Sequence, residues 1–168
     1  MRDRPAKATD VKEASNCDMP YKPSILVVDD AEDGREMLVE YLAFRGFQVA
    51  EARHGSEAIE VARRVHPSVI LMDLSMPVVD GWQATRELKR DPLTKNIIVI
   101  AVTAHAFPAE QESARLAGCD RVISKPYDLT VLAGTLGRVI SKGIAAFETE
   151  RVANKGAARK PRSRVRVS

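Results

Sequence analysis

The chain has 168 residues, of which 45% are hydrophobic and 29% are charged, and this size suits one globular domain with extensions. It contains no apolar run of about 18 residues, the length that a transmembrane helix needs. The charged, proline-bearing N-terminus does not resemble a secretory signal peptide. Cys17 and Cys119 have neither a CxxC motif nor a neighbouring histidine, which argues against a disulfide framework or a zinc site. We therefore expect a cytoplasmic protein in which Cys119 is a small buried side chain.

The net charge of +3 is distributed unevenly along the chain. Residues 24–141 carry 13 Lys and Arg against 17 Asp and Glu, a net charge of −4, whereas residues 142–168 carry 8 against 2, a net charge of +6. The isoelectric point near 9.0 therefore comes from the C-terminal tail. Such a tail could bind nucleic acid, anionic lipid or an acidic partner, or it could be a disordered, solubilising extension, and the sequence leaves these alternatives open.

From Ser24 onward, short apolar runs alternate with segments whose apolar residues have helical spacing. Five strands alternating with five helices predict an α/β doubly wound domain over residues 24–141. We expect residues 1–23 to form a flexible N-terminal extension and residues 142–168 to form a disordered tail. The predicted strands are 24–28, 47–52, 69–72, 97–102 and 121–124, and the predicted helices are 30–44, 56–66, 82–90, 108–117 and 129–140.

Helical spacing also predicts which side chains the first two helices bury. We expect His54 and His66 to be surface residues, because neither has the spacing of a metal ligand. The predicted buried positions are Met37, Leu38, Tyr41 and Leu42 in the first helix, and Ala58, Ile59, Ala62 and Val65 in the second.

Polar residues follow four of the predicted strands at the point where each strand ends. Because the carboxyl ends of parallel strands lie at one edge of a sheet, these side chains should converge there. Taken singly, each has a simpler explanation, such as a helix cap, a turn or an ordinary strand position. Together, three carboxylates, a hydroxyl and an ammonium suit a divalent metal and a phosphoryl group, since clustered carboxylates repel without a cation. The residues are Asp29, Asp30, Asp73, Thr103 and Lys125.

Four stretches, ILVVDD, VILMDLSMPVVDGW, IIVIAVTAHA and AGCDRVISKP, resemble the CheY-like receiver domain of two-component response regulators. The resemblance covers residues 24–141, and the motifs DLSMPVVDGW and VTAHA are similar to those of stand-alone receivers of the DivK type or of receivers in hybrid kinases. It implies a flavodoxin-like (βα)5 fold with strand order 2-1-3-4-5. It also implies a single-domain response regulator of a two-component system or phosphorelay, which is not an enzyme beyond its own phosphorylation and dephosphorylation.

The resemblance implies a role for each residue of the cluster. Asp73 matches the phosphoacceptor, Thr103 the switch hydroxyl and Lys125 the lysine that pairs with the phosphoryl group. The implied cofactor is Mg²⁺, and Pro126 would follow a cis peptide bond. The phosphate would come from a histidine kinase or a histidine phosphotransfer protein, and an unknown downstream protein would bind the switched surface. The implied metal ligands are Asp29, Asp30, Asp73 and the backbone carbonyl of Ser75.

One position departs from the family pattern, and one glycine has a predicted conformational role. Val122 stands three residues before Lys125, where the family often has Tyr or Phe, which puts the aromatic half of the usual coupling in doubt. Gly81 is expected to let the preceding loop turn with a positive φ.

Other functions are also compatible with parts of the sequence. The protein could pass its phosphate onward as a phosphorelay intermediate. An aspartyl-phosphate phosphohydrolase would need an acid two residues after the nucleophile, where this chain has Ser75. A flavodoxin-like cofactor binder would need a phosphate loop rich in Gly, Ser or Thr after the first strand, but DDAEDG is acidic.

Overall fold

The computed structural model describes residues 24–76, 81–104 and 107–142, in which five strands alternate with five helices. The predicted N-terminal extension and the basic tail beyond residue 142 lie outside the described residues. The elements are β1 Ser24–Val28, α1 Glu32–Phe44, β2 Gln48–Ala52, α2 Gly55–Val65, β3 Val69–Asp73, α3 Gly81–Arg90, β4 Ile98–Thr103, α4 Pro108–Ala117, β5 Arg121–Ser124 and α5 Leu129–Lys142.

All five strands are parallel and form one sheet in the order β2-β1-β3-β4-β5. The predicted fold and strand order are therefore confirmed. All residues of β1 and β3 are buried, because helices cover both faces of the sheet. With no face open to solvent, these strands need not alternate apolar and polar residues.

The sheet separates two hydrophobic cores. Successive residues of a strand point to opposite faces, so that in β1 Leu26 joins one core and Val27 joins the other. The first core is closed by α2, α3 and α4, and the second by α1 and α5. Since both layers are anchored to the same central strands, the carboxyl ends of those strands are held rigidly.

Most helix boundaries have a local cause. The His54 ring accepts a hydrogen bond from the Glu57 backbone N–H at 3.2 Å, which caps the start of α2. His66 ends the same helix in the left-handed conformation, with φ of 47°. Both histidines are exposed, as predicted. Gly118 ends α4 with φ of 99°, which a side chain would disfavour.

The predicted buried faces of the first two helices needed correction. Met37 is 54% exposed, and Val65 at the end of α2 is also exposed. In their place α1 buries Arg35 beside Leu38 and Leu42. Within the described part of the chain, none of the helices has the length and apolar character that crossing a membrane would require.

Candidate functional site

The polar residues predicted at the strand ends lie together at the carboxyl edge of the sheet. The backbone ladder continues past the strands and positions them: the Asp29 N–H donates to the Ala52 carbonyl at 3.2 Å, and the Lys125 N–H donates to the Thr103 carbonyl at 2.8 Å. Asp73 itself is the last residue of β3, opposite Val102 of β4. The site is therefore built on rigid strand ends rather than on long loops.

Three carboxylates form a compact acidic cluster at this edge. Asp29, Asp30 and Asp73 each offer one oxygen, and these oxygens all lie within 4.8 Å of one another. Asp29 is 8% exposed and Asp73 is 5% exposed, whereas Asp30 faces solvent. Two negative charges are thus held close together with little water, an arrangement that requires a compensating cation.

Lys125 supplies a positive charge between the two buried carboxylates. Its Nζ donates to Asp73 Oδ2 at 2.8 Å and to Asp29 Oδ2 at 2.9 Å. Partial burial by itself lowers the pKa of Lys125, but the hydrogen bonds and charges of Asp73 and Asp29 outweigh it and raise the pKa above its usual value. Lys125 therefore remains charged at neutral pH and offsets part of the repulsion.

The other oxygen of each buried carboxylate is held by a tight turn. Asp29 Oδ1 accepts from the Ala31 N–H at 2.9 Å, and Asp73 Oδ1 accepts from the Ser75 N–H at 2.8 Å. Each side chain bonds the backbone two residues further on, which fixes the path of the chain as it leaves the strand. The orientation of both carboxylates is therefore set by the protein before any ligand binds.

A small cavity of about 10 Å³ lies beneath the cluster, enough for roughly one water molecule. Burial there raises the pKa of the Tyr127 hydroxyl above its usual value, although the nearby Lys125 opposes the shift. The lining residues are Val27, Val28, Asp29, Leu38, Leu71, Asp73, Val102 and Tyr127.

Thr103 lies in β4 and Val122 in β5, the two strands on the side of β3 that faces away from β1. Thr103 is 4% exposed and pairs with Ser124 in the sheet, one residue beyond the position opposite Asp73. Its hydroxyl therefore belongs to the same sheet edge as the acidic cluster. Val122 is partly buried and packs against the core beneath α2, α3 and α4.

Gly81 is required for a reason other than the one that the sequence suggested. It is the first residue of α3, and a Cβ built there would collide with the backbone oxygen of Asp73 and press on Leu74. Among the described glycines, positive φ angles are found at Gly46 and Gly118. The prediction of a positive φ at Gly81 was therefore wrong. The glycine is needed because α3 approaches the end of β3 too closely for a side chain.

Several other expectations are met. Lys125 and Pro126 are joined by a cis peptide bond. Cys119 is buried, and desolvation raises the pKa of its thiol to about 11, although a hydrogen bond with Thr85 opposes the shift. Ser75 is exposed two residues after Asp73, and its role as a metal ligand stays a prediction.

Sequence reasoning missed one residue of the site. Arg35 is only 3% exposed, and its Nη1 donates to the Asp29 backbone carbonyl at 2.9 Å. Its Nε donates to Glu51 Oε2, also at 2.9 Å. The available signal was the helical spacing of Arg35, Leu38 and Leu42, which places the arginine on the buried face of α1.

The comparisons with known proteins agree with this fold. The model of the response regulator receiver domain matches residues 25–136, so the chain belongs to the response regulator receiver domain family. This is a signalling domain, and accepting a phosphoryl group is the standard role in the family. Curated relatives include the polar-differentiation response regulator DivK of Brucella ovis, 39% identical over 103 residues that cover 61% of this chain and 84% of the relative.

Solved structures lead to the same family. The chemotaxis protein CheY4 of Vibrio cholerae matches with a TM-score of 0.67 and 27% identity, over 70% of this chain and 98% of that one. The receiver domain of the sensor histidine kinase PA1611 of Pseudomonas aeruginosa matches with a TM-score of 0.66 and 31% identity, over 71% and 98% of the two chains. That receiver was solved with a magnesium ion coordinated in its active-site cleft. The predicted family and function class are therefore confirmed.

Proposed function

We propose that Asp73 is the phosphoacceptor of this response regulator and that the phosphate comes from a phosphohistidine on a histidine kinase or a histidine phosphotransfer protein. One observation carries the proposal: Asp73 is the most buried of three clustered carboxylates and is bonded directly to the Lys125 ammonium. Asp73 is the last residue of a central strand, so its carboxylate lies at the sheet edge that an incoming phosphoryl group would approach.

The donor set of the cluster suits Mg²⁺. The three carboxylates offer only oxygen, and Mg²⁺ prefers oxygen ligands while keeping several of its waters. When bound, Mg²⁺ would neutralise negative charge and screen the carboxylates from the incoming phosphoryl oxygens. We propose that its ligands are Asp29, Asp30, Asp73 and the backbone carbonyl of Ser75.

The transfer itself needs a free oxygen on Asp73. That oxygen attacks phosphorus, the bond from phosphorus to the partner's imidazole nitrogen breaks, and the nitrogen leaves with the electron pair and takes up a proton. The Lys125 ammonium has three donors, so it can move from the carboxylate to a phosphoryl oxygen as negative charge shifts there. We propose that the Thr103 hydroxyl donates to a second phosphoryl oxygen.

The proposed output is a change in a protein-binding surface. A phosphoryl group adds charge and acceptor oxygens at the edge of the sheet, and these can bias the segment that follows Thr103. By family resemblance, the surface includes α4, β5 and α5, and it would bind a downstream protein in the cytoplasm. Because Val122 is aliphatic, we propose that this surface switches through Thr103 without an aromatic partner.

The direct test is phosphorylation of the purified chain with acetyl phosphate and Mg²⁺. We expect the intact mass to increase by one phosphoryl group per chain, and we expect Asp73→Ala to abolish the increase. Asp91→Ala is a suitable control, because Asp91 follows the end of α3 that lies away from Asp73 and pairs with Arg63. Labelling that persists in Asp73→Ala would refute the assignment.

Two additions to this experiment distinguish a terminal regulator from a phosphorelay intermediate and from a phosphohydrolase. A phosphorelay intermediate would hand its phosphate to an added histidine phosphotransfer domain, whereas a terminal regulator would retain it until hydrolysis. A phosphohydrolase would instead release phosphate over many turnovers from a phosphomonoester. We expect labelling without such turnover, since Ser75 provides no acid for a leaving group.

A further inference from the structure

We infer that Arg35 is a positioning residue for the metal site, acting through the backbone of Asp29. The inference rests on the proposed function, because it assigns a role to the site described above. The observation behind it is that Arg35 is buried and that its guanidinium donates a hydrogen bond to the backbone carbonyl of Asp29, a member of the acidic cluster.

The position of Arg35 is unusual enough to need an explanation. A guanidinium removed from water is strongly unfavourable unless its donors are satisfied. Here one donor meets the Glu51 carboxylate, which is about half exposed, and another meets the Asp29 carbonyl. An apolar side chain would pack beside Leu38 and Leu42 without these requirements, so the arginine serves something other than packing.

The bond to Asp29 completes the fixation of one turn. The Asp29 N–H is held by Ala52 of β2, its carbonyl by Arg35 of α1, and its carboxylate by the Ala31 N–H and Lys125. Beyond Val28 the carbonyl has left the sheet ladder, and Arg35 takes the place of a strand partner. Both backbone groups of Asp29 are therefore held by hydrogen bonds, the N–H by β2 and the carbonyl by α1.

Asp30 depends on this fixation more than its neighbour does. Its side chain faces solvent, so its direction follows from the backbone of the turn between β1 and α1. Releasing the Asp29 carbonyl would let that turn move and would spread the carboxylate oxygens that now lie within 4.8 Å. Metal affinity should therefore fall even though no ligand has been changed.

A lysine should not replace Arg35 in this role. The guanidinium donates in two directions at once, through Nε to Glu51 and through Nη1 to Asp29, each at 2.9 Å. Lysine has the same charge but a single nitrogen at the end of a flexible chain. The Arg35→Lys substitution thus separates a requirement for charge from a requirement for the forked geometry.

The test measures Mg²⁺ binding by calorimetry and, without metal, the hydrogen exchange of the Ala31 amide in the full chain. For both Arg35→Lys and Arg35→Met we expect the Mg²⁺ Kd to rise about tenfold, in line with the usual effect of residues that orient ligands. The Ala31 amide should exchange about tenfold faster, because its bond to Asp29 opens with the turn. Arg63→Met is the control: Arg63, whose side chain is 54% exposed, also joins a helix to a carboxylate, that of Asp91, and its replacement should leave both quantities unchanged.

A purely structural role for Arg35 predicts a different result. It would lower the melting temperature while leaving the Mg²⁺ Kd and the Ala31 exchange rate unchanged, and that result overturns the inference. Should the Arg35 variants fail to fold, Glu51→Ala decides, with an expected rise in Kd of about threefold. If the wild type itself binds no Mg²⁺, the proposed metal site fails, and the metal-free exchange rates still test the role of Arg35.

Discussion

At the scale of single residues, Lys125 provides the positive charge that offsets the two buried carboxylates of the site. It is the ammonium that bridges Asp29 and Asp73, whose carboxylates are almost fully buried. Breaking a buried ion pair by removing one partner is far more destabilising than the pair is stabilising, because the remaining charge has neither water nor a partner. Part of the lysine is open to solvent, which reduces the effect without removing it.

We therefore expect Lys125→Met to lower the free energy of unfolding by about 2 kcal/mol in the absence of metal. Added Mg²⁺ should recover part of the loss, since a second cation can then offset the two carboxylates. Urea unfolding with and without Mg²⁺ measures both effects. The exposed Lys95→Met is the control and should change stability by less than about 0.5 kcal/mol. Equal values for the two variants would contradict the role given to Lys125.

At the scale of elements, the junction between β3 and α3 determines how closely the helix can approach the site. Gly81 begins α3 directly against the backbone of Asp73, the proposed phosphoacceptor. The absence of a Cβ at this point brings the helix and the strand end together. A side chain here would push the backbone of Asp73, and with it the direction of the carboxylate.

We expect Gly81→Ala to destabilise the protein by about 2 kcal/mol or more, because its new methyl group meets backbone rather than a flexible side chain. Gly34→Ala is the matched control in α1, where the nearest atom is the Ala31 Cβ at 4.0 Å. That control should raise stability by about 0.5 to 1 kcal/mol through helix propensity. Urea unfolding of both variants is the measurement, and a neutral Gly81→Ala would show that the junction is looser than described.

At the scale of the whole molecule, stability should decline on the alkaline side. The pKa values of Cys119, Lys125 and Tyr127 are all raised in the folded protein. A group with a raised folded pKa contributes stability below its unfolded pKa and loses it as the pH rises through its folded pKa. For Cys119, this window runs from 9.0 to about 11, and for Lys125 it begins at 10.5.

We expect the free energy of unfolding to fall from pH 9.0 upward, with Cys119 contributing about 2 kcal/mol by pH 11. The reason is that desolvation favours the neutral thiol in the folded protein. As the pH rises, the thiol therefore loses its proton in the unfolded chain before it does so in the folded protein. Urea unfolding of the wild type and Cys119→Ala across this range measures the contribution. If the two pH profiles run parallel, the buried thiol is not responsible.

Much of the site could be predicted from sequence because its signals are local. Apolar runs ending in Asp29, Asp73 and Thr103 mark strand ends, and the helices between them require a parallel sheet with all those ends at one edge. The boundaries of most elements were predicted within two residues for the same reason. The assignment of Asp73 as phosphoacceptor and of the metal ligands remains a prediction.

The sequence alone determined the order of strands and helices and the types of side chain that gather at the sheet edge. Hydrophobic periodicity and strand ends depend on residues that are close together in the chain, so both can be recognised from short segments. Only the tertiary structure decided that Lys125 closes on Asp29 and Asp73, residues 96 and 52 positions away in the chain. It also decided that Arg35 turns inward while Met37 turns out. Such contacts depend on how the helix layers pack against the sheet, and packing follows from the whole set of side chains rather than from any local pattern.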